Sequence, residues 1–180
     1  DAVVSMRGVA LRYPAFDETE GRAVDLAGRI GLCQSRHQGV APAERESEAS
    51  LALTAYGALQ SRGQPIAPPE DQRLVPVRSE GERVWRERRG QLDLSCAQCH
   101  DDNAGRRLAG NVIPQAHPTG YPLYRLEWQA LGSLQRRLRG CMTGVRAEPF
   151  GYGSREFVAI EAFLAARARG MPMETPAVRP

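Results

Sequence analysis

The chain has 180 residues, 42% of them hydrophobic and 25% charged, which is enough to build one ordinary domain or two small ones. Its net charge is only +3 and acids and bases are interspersed, so nothing points to a nucleic acid as partner. No apolar run approaches the roughly 20 residues of a membrane helix, so we expect no membrane insertion. Asp1 without a preceding Met indicates a processed or truncated N-terminus.

The first half of the chain predicts short helices joined by irregular loops. Residues 17–32 predict a helix that enters Cys33. Residues 46–62 predict a second helix, with Ser47 as its N-cap and Gly63, which is soon followed by proline, as its stop signal.

The second half continues this pattern after a proline-rich stretch at 64–77, which predicts an extended linker. A helix at about 79–90 is predicted to turn Val84 and Trp85 inward, with a solvated face formed by Arg86, Arg88 and Arg89. Residues 125–139 predict a helix that leads to a cysteine, with apolar positions at helical spacing. The last predicted helix spans 154–169, and its apolar stripe is expected in the core: Phe157, Ile160, Phe163 and Leu164.

The most informative motif is Cys96-Ala97-Gln98-Cys99-His100. Two sulfurs three residues apart can bond to the two vinyl groups of a haem, and the adjoining histidine then reaches the iron. A dithiol redox motif or half of a zinc site are the alternatives, but the sequence has no second CxxC and no thioredoxin-type strand before the motif. The motif predicts one haem c attached through Cys96 and Cys99, with His100 as a metal ligand. Such attachment occurs on the export side of bacterial membranes, so we expect a periplasmic location.

Two stretches of the sequence match each other at an offset of 107 to 108 residues. Tyr13-Pro14 matches Tyr121-Pro122, and Cys33 matches Cys141; further pairs are Ser47 with Ser154, Arg62-Gly63 with Arg169-Gly170, and Pro65 with Pro172. Shared composition is the alternative explanation. The ordered landmarks favour a mainly α fold with two cytochrome c-like domains related by an internal repeat.

The repeat divides the chain into two predicted domains. Residues 1–78 form a cytochrome c-like domain that is incomplete at its N-terminus, lacks a haem motif and ends in the proline-rich linker. Residues 79–180 form the haem-binding cytochrome c domain.

A cytochrome haem normally has a second axial ligand, and the sequence offers several: His117, Cys141, Met142, Met171 and Met173. Methionine is usual in an electron carrier, but only the cysteine has a counterpart in the repeat. If Cys141 is the ligand, the anionic sulfur lowers the reduction potential relative to a His/Met site. A disulfide between Cys33 and Cys141, or a buried structural cysteine, remains the alternative.

Several further residues carry a resemblance to a known family. They are Ser95 to His100, Gly120-Tyr121-Pro122, Arg137 to Met142, the run Val145 to Phe150, Gly153-Ser154 and Glu156. With them the whole chain resembles SoxA, the cytochrome c subunit of the SoxAX complex in bacterial thiosulfate oxidation. The resemblance implies two cytochrome c-like domains, of which the C-terminal one carries the catalytic haem. Because no second CxxCH is present, the chain resembles the one-haem members.

The resemblance also implies roles for individual residues. His100 and Cys141 would be the axial ligands, and the cysteine, catalytic in the family, is often carried as a persulfide. Arg137, four residues before Cys141, would line the catalytic site and bind substrate, and Arg146 is a second candidate for substrate binding. In the one-haem members a disulfide replaces the N-terminal haem, and Cys33 would be its second cysteine, with a partner upstream of the chain described here.

The implied activity is that of an L-cysteine S-thiosulfotransferase, one subunit of a heterodimer. Thiosulfate is joined to a cysteine of the carrier SoxYZ, and electrons pass to the partner cytochrome SoxX. The reacting sulfur must be a thiolate, which Arg137 and Arg139 are expected to favour. The alternatives are a plain electron-transfer c-type cytochrome, with Met142 or Met171 as ligand, and a thiosulfate dehydrogenase that forms tetrathionate.

Overall fold

The computed structural model describes residues 1–180, the side chain of Ala2 excepted. The α-helices are α1 (Ala2–Met6), α2 (Leu26–Cys33), α3 (Glu48–Leu59), α4 (Val75–Arg86), α5 (Cys96–His100), α6 (Leu134–Gly144) and α7 (Arg155–Arg167). The strands are β1 (Ala15–Asp17), β2 (Arg22–Val24), β3 (Arg107–Leu108), β4 (Asn111–Val112), β5 (Leu123–Arg125), β6 (Ala130–Gly132) and β7 (Ala177–Arg179). The prediction of a mainly α fold is confirmed.

The strands form small sheets between the helices. β1 and β2 form an antiparallel hairpin, as do β3 and β4. β5 is the central strand of a third sheet, antiparallel to β6 and parallel to β7. No helix in the described part of the chain is both long and apolar enough to cross a membrane.

The predicted helix at 17–32 is wrong in its first half, which is the β1–β2 hairpin. The Asp17 carboxylate accepts hydrogen bonds from the backbone N–H groups of Thr19 and Glu20, and Gly21 takes a positive φ of 62°, so the chain turns there. α2 begins only after Asp25, whose carboxylate accepts from the Gly28 N–H at 2.9 Å as an N-cap.

The predicted helix at 125–139 is wrong in the same way, because its first half is the β5–β6 hairpin. Gln129 lies in the turn with a φ of 50°, outside the helical region. α6 begins after Ser133, whose hydroxyl accepts from the Arg136 N–H at 3.1 Å, and it continues to Gly144. Cys141 therefore lies inside the helix and not beyond its end.

The other predicted helices are confirmed with small shifts. Ser47 and Ser154 are the N-caps of α3 and α7, and each side chain accepts from a backbone N–H three residues on. The linker is shorter than predicted, because α4 begins at Val75 and ends at Arg86. Of the arginines assigned to its solvated face, Arg88 and Arg89 lie beyond the end of α4, and Arg89 lies over the Phe150 ring, 4.7 Å from its centroid.

The helices α4 and α7 pack directly against each other. Gly81 of α4 lies against the α7 backbone, so that a Cβ placed there would be 2.0 Å from the Ala159 carbonyl oxygen. This approach buries Val84 and Trp85, as predicted, in a core formed with Ala97, Leu138, Met142, Phe157, Ile160 and Leu164. The apolar stripe of α7 is thus a core surface, as expected.

The two halves of the chain present the same order of elements. Each has a cis Tyr-Pro bond, a two-stranded hairpin, a helix and then a serine-capped helix, and the two segments pair at Pro65 and Pro172. The internal repeat, and the division into domains at 1–78 and 79–180, remain predictions.

A second core cluster joins the two halves. Ala10, Leu11, Ala58 and Ile66 of the first half pack with Ala168 and Met173 of the second.

Next to this cluster lies a cavity of about 130 Å³, whose polar wall contains Asp25, Arg45, Glu46, Gln135 and Glu161. One arginine therefore faces three carboxyl groups, and the pKa of Glu161 is raised well above its ordinary value of 4.5, chiefly by burial and next by the Asp25 carboxylate.

A first prediction concerns the α4–α7 contact. We expect Gly81→Ala to destabilise the protein by roughly 1–3 kcal/mol, because the new methyl group would overlap the Ala159 carbonyl and force the helices apart. Gly57→Ala in α3 is the control: nothing lies within 4 Å of its added methyl group, so the helix should gain about 0.5–1 kcal/mol. Denaturant unfolding measures both, and equal effects of the two substitutions would contradict the described packing.

A second prediction concerns pH. Because the folded state raises the pKa of Glu161, it holds this proton better than the unfolded chain does, and stability is lost as pH rises above about 4.5. We therefore expect Glu161→Gln to stabilise the protein relative to the parent by an amount that grows from about pH 5 to about pH 8. Unfolding measured across this range tests it, with Glu148→Gln at an exposed position as control. A stability difference that does not change with pH would contradict the burial of a neutral carboxyl group.

Candidate functional site

The Cys-x-x-Cys-His motif forms its own short helix, α5, whose start is defined by a capping box. The Ser95 hydroxyl accepts from the Gln98 N–H at 3.2 Å, and the Gln98 side chain accepts from the Ser95 N–H at 2.9 Å. A Ser followed three residues later by Gln is visible in the sequence, so this start was available to sequence reasoning. The box fixes where Cys96 and Cys99 begin their helical turn.

His100 at the end of α5 is oriented by one hydrogen bond. Its Nδ1 lies 2.7 Å from the Pro114 carbonyl oxygen, which can only accept, so Nδ1 carries the proton. The Nε2 atom keeps its lone pair and can bind a metal. Burial lowers the pKa of His100, and the charge of Arg137 acts in the same direction. The imidazole is therefore held neutral, as a ligand must be.

The Pro114 carbonyl lies just after the β3–β4 hairpin. Residues 101–113 leave α5 and return to it, and two backbone hydrogen bonds of 2.8 Å between the Gly105–Arg106 stretch and Ile113 close this loop. The loop thus brings its last residues back over the histidine.

Trp85 and Arg167 hold the end of α5 from the two packed helices. The Trp85 ring lies 5.5 Å from that of His100, and its indole N–H donates to Asp101 at 2.9 Å. Arg167 of α7 donates to the other oxygen of Asp101 at 2.7 Å and lies over the Trp85 ring. The α4–α7 contact therefore determines where His100 sits.

Three thiols converge beside His100. Burial raises the pKa of Cys96 to about 11, and the charges of Cys141 and Cys99 add to this shift. The pKa of Cys141 is likewise raised, first by burial, against the opposing charge of Arg137. These mutual influences place Cys141 of α6 near the motif cysteines. Cys33 of α2 and Cys141 of α6 are both free thiols, so the structure does not contain the alternative disulfide between them.

Arg137 lies one helical turn before Cys141 on the same helix, as the spacing predicts. Its charge acts on Cys141, His100 and Tyr121. Within the part of the chain that the structure describes, no carboxylate lies at ion-pair distance from its guanidinium. This cation is available to an anion that enters the site.

Sequence reasoning missed Arg125 of β5, the second cation that acts on Cys141. Its side chain is only 14% exposed, it contacts Glu127 at 3.2 Å, and its buried Nε has no hydrogen-bond partner among the described residues. The repeat pairs this position with Asp17, so no sequence signal marked it.

The remaining predicted arginines lie elsewhere. Arg146 is exposed and its guanidinium donates to the Gln91 side chain at 3.4 Å, so its role in substrate binding stays a prediction. Arg139, expected to favour the thiolate, donates instead to the Phe150 carbonyl and lies 4.7 Å from the Tyr152 ring centroid.

The methionines offered as alternative ligands are core residues. Met142 is buried with Val84 and Trp85, whereas Met171 and Met173 pack in the cluster between the two halves of the chain. The identity of the second ligand stays a prediction, with Cys141 as the expected residue. A free Nε2 on a neutral imidazole, two cysteines on the same helix and a third near them fit a haem c.

This fold and this set of residues define a cytochrome c domain. The family model described as SoxA/TsdA, cytochrome c domain, matches residues 1–66 and 80–173. The chain belongs to the SoxA/TsdA cytochrome c family, and domains of this family bind haem c.

Individual relatives agree with the family match. The chain is 34% identical over 180 residues to the L-cysteine S-thiosulfotransferase subunit SoxA of Pseudaminobacter salicylatoxidans, covering 99% of this chain and 63% of the relative. It is 32% identical over 175 residues to that of Paracoccus pantotrophus, covering 97% of this chain and 60% of the relative. The chain thus spans about three fifths of the length of these relatives.

A solved structure agrees as well. The crystal structure of SoxXA from P. pantotrophus matches with a TM-score of 0.94 and 31% sequence identity, covering 99% of this chain and 67% of that chain.

Proposed function

We propose that this chain is the haem-bearing part of an L-cysteine S-thiosulfotransferase that acts in thiosulfate oxidation. It would join thiosulfate to a cysteine of the carrier SoxYZ, and electrons would pass to the partner cytochrome SoxX. The observation that carries the proposal is the position of Cys141, which lies near the motif cysteines and one turn from an arginine that has no carboxylate partner among the described residues. The names of the relatives and of the matched SoxXA structure support it.

The cofactor in this proposal is one haem c, attached covalently through Cys96 and Cys99. His100 would hold the iron through Nε2, and Cys141 would be its second protein ligand. The single CxxCH supports the count of one, and the tautomer of His100 supports its role. When bound, the haem supplies an electron acceptor and a cationic iron that favours the ionised form of a nearby thiol.

The chemical change is the formation of one S–S bond. The outer sulfur of thiosulfate joins the sulfur of the carrier cysteine, the thiol proton of that cysteine leaves, and two electrons are released. Both sulfur species are nucleophiles as anions, so the bond forms only if these electrons are removed. The role of the protein is therefore to bring the sulfurs together and to lead the electrons away.

Substrate binding follows from the cations at the site. Thiosulfate is a dianion whose sulfonate oxygens suit the planar fork of a guanidinium. Arg137 is free of a carboxylate partner, and Arg125 keeps a buried Nε without a partner. We assign the main contact to Arg137 and a second one to Arg125, with Arg146 as an outer contact.

Cys141 must be ionised to act as ligand or nucleophile. Burial raises the pKa of its thiol, and nearby positive charge lowers it again. Arg137 and Arg125 supply part of that charge from the protein. This explains why catalytic cysteine and arginine would share one face of α6.

The setting of the proposed enzyme is a periplasmic heterodimer with SoxX. The matched structure is a complex of this composition, and haem attachment through a CxxCH motif takes place outside the cytosol. A thiosulfate dehydrogenase would differ in its product, because it forms tetrathionate without a carrier protein. In the plain electron-carrier alternative Met142 or Met171 would be the ligand, and both methionines pack in the core clusters.

The central prediction concerns Cys141. We expect Cys141→Ala to give a folded, haem-bearing protein that has lost thiosulfate-dependent turnover with SoxYZ, because the sulfur at the site is missing. The measurement is carrier-bound thiosulfate by mass spectrometry of SoxYZ, together with a tetrathionate assay without carrier. Near-normal turnover and an unchanged haem spectrum in the variant would contradict the proposal and favour the plain electron carrier.

A companion prediction concerns the arginines. Arg137→Ala should weaken thiosulfate binding by roughly 2–5 kcal/mol, the usual cost of removing one partner of a buried charged contact, and Arg125→Ala should have a smaller effect in the same direction. Arg139→Ala on the same helix is the control, because this side chain is bound to Phe150 and Tyr152. Equal losses for Arg137 and Arg139 would mean that α6 had been disturbed as a whole.

A further inference from the structure

The first turn of α6 is tied to the first half of the chain by a fully buried side chain. Gln135 is 1% exposed, and its amide nitrogen donates to the Asp25 carboxylate at 3.1 Å. Its amide oxygen accepts from the Gly153 N–H at 2.7 Å, in the turn before α7. Both polar ends of this one side chain are therefore used, and α6 is held from both halves of the chain.

Asp25 is itself fixed on every side. It is 6% exposed, caps α2 through the Gly28 N–H, and accepts both ends of the Arg45 guanidinium fork, at 2.6 and 2.7 Å. Arg45 lies against Gly153, where a Cβ would be 2.5 Å from its Nε. The carboxylate that holds Gln135 therefore has almost no freedom to follow a movement of α6.

The residue after Arg45 also contacts the start of α6. The Glu46 carboxylate accepts from the N–H of Ser133, the N-cap of α6, at 3.5 Å. Two contacts from the first half of the chain thus act within the first turn of the helix that carries Arg137 and Cys141. An α-helix moves largely as a unit, so a shift or rotation of its first turn also displaces a residue less than two turns further along.

We infer that Gln135 and Asp25 are positioning residues, which hold α6 in the rotation that directs Cys141 toward His100. The inference rests on the proposed function, because it takes Cys141 to be the ligand opposite His100. It gives the first half of the chain a direct part in the site, although that half contributes no ligand.

The variant that tests this most sharply is Gln135→Glu. It keeps the shape and the bond to the Gly153 N–H but places a carboxylate against Asp25, in a cluster where Arg45 already faces Asp25, Glu46 and Glu161. The double variant Gln135→Glu with Asp25→Asn exchanges donor and acceptor, restores the number of carboxylates and keeps an N-cap for α2. Rescue by the exchange would identify the contact itself as the cause.

Asp17 provides the matched control. It is also 6% exposed and pairs with two arginines, Arg29 at 2.8 Å and Arg36 at 2.9 Å, but its ion pairs and hydrogen bonds lie within the first half of the chain. Asp17→Asn should lower stability without reaching α6. It separates a loss of stability from a loss of positioning.

The measurement is the electron paramagnetic resonance and optical spectrum of the full-length, haem-loaded proteins, with reduction potential and hydrogen exchange of α6. We expect Gln135→Glu to convert part of the thiolate-ligated signal to a second species, to shift the potential and to speed exchange in α6. The double variant should restore all of these, and Asp17→Asn should leave them as in the parent.

Spectra, potentials and α6 exchange that match the parent in Gln135→Glu, or that change equally in Asp17→Asn, would overturn the inference. A failure of the proposed function is seen separately, because the parent itself would then lack the thiolate signal. Should Gln135→Glu not fold, Gln135→Ala replaces it, because it removes the bonds to Asp25 and Gly153 without adding a charge, and the same readouts decide.

Discussion

The contact between α4 and α7 is the constraint on which the site depends. Because Gly81 has no side chain, the two helices approach until Trp85 and Arg167 lie against each other. Both then bind Asp101, the residue after His100. A bulkier residue at position 81 would move the two helices apart and weaken the contacts that hold His100, although position 81 itself is not among the proposed ligands.

The site is completed by elements that approach from other directions. The loop that follows α5 returns its Pro114 carbonyl to His100 and selects the nitrogen that remains free for a metal. α6 brings Cys141 and Arg137 from a later part of the sequence, and its first turn is anchored on Asp25. His100 is thus held by contacts within the second half of the chain, whereas the position of Cys141 also depends on contacts with the first half.

Sequence reasoning succeeded where the signal was local. The serine N-caps of α3 and α7 and the inward positions Val84 and Trp85 were predicted because a cap or a stripe needs only its own few residues. It failed at 17–32 and 125–139, where leucine and alanine at helical spacing concealed two hairpins. The turns there are set by Asp17, Gly21 and Gln129 rather than by hydrophobic periodicity.

The residues of the site show the same difference between local signals in the sequence and contacts in space. Cys96, Cys99 and His100 are close together in the sequence, and the predicted repeat and the family resemblance both single out Cys141. Arg125 had no such signal, because what matters is its neighbourhood in space. The bond between Asp25 and Gln135 joins residues 110 apart in the chain, and no pattern along the sequence indicates such a pair.

The central claim is that one iron lies between His100 and Cys141, and the electron paramagnetic resonance spectrum of the oxidised, full-length protein tests it most directly. The account predicts a single haem with the low-spin ferric signature of imidazole and thiolate ligation, together with a low reduction potential. A high potential with the spectrum of histidine and methionine ligation would contradict it, because the sulfur of α6 would then have no place at the iron.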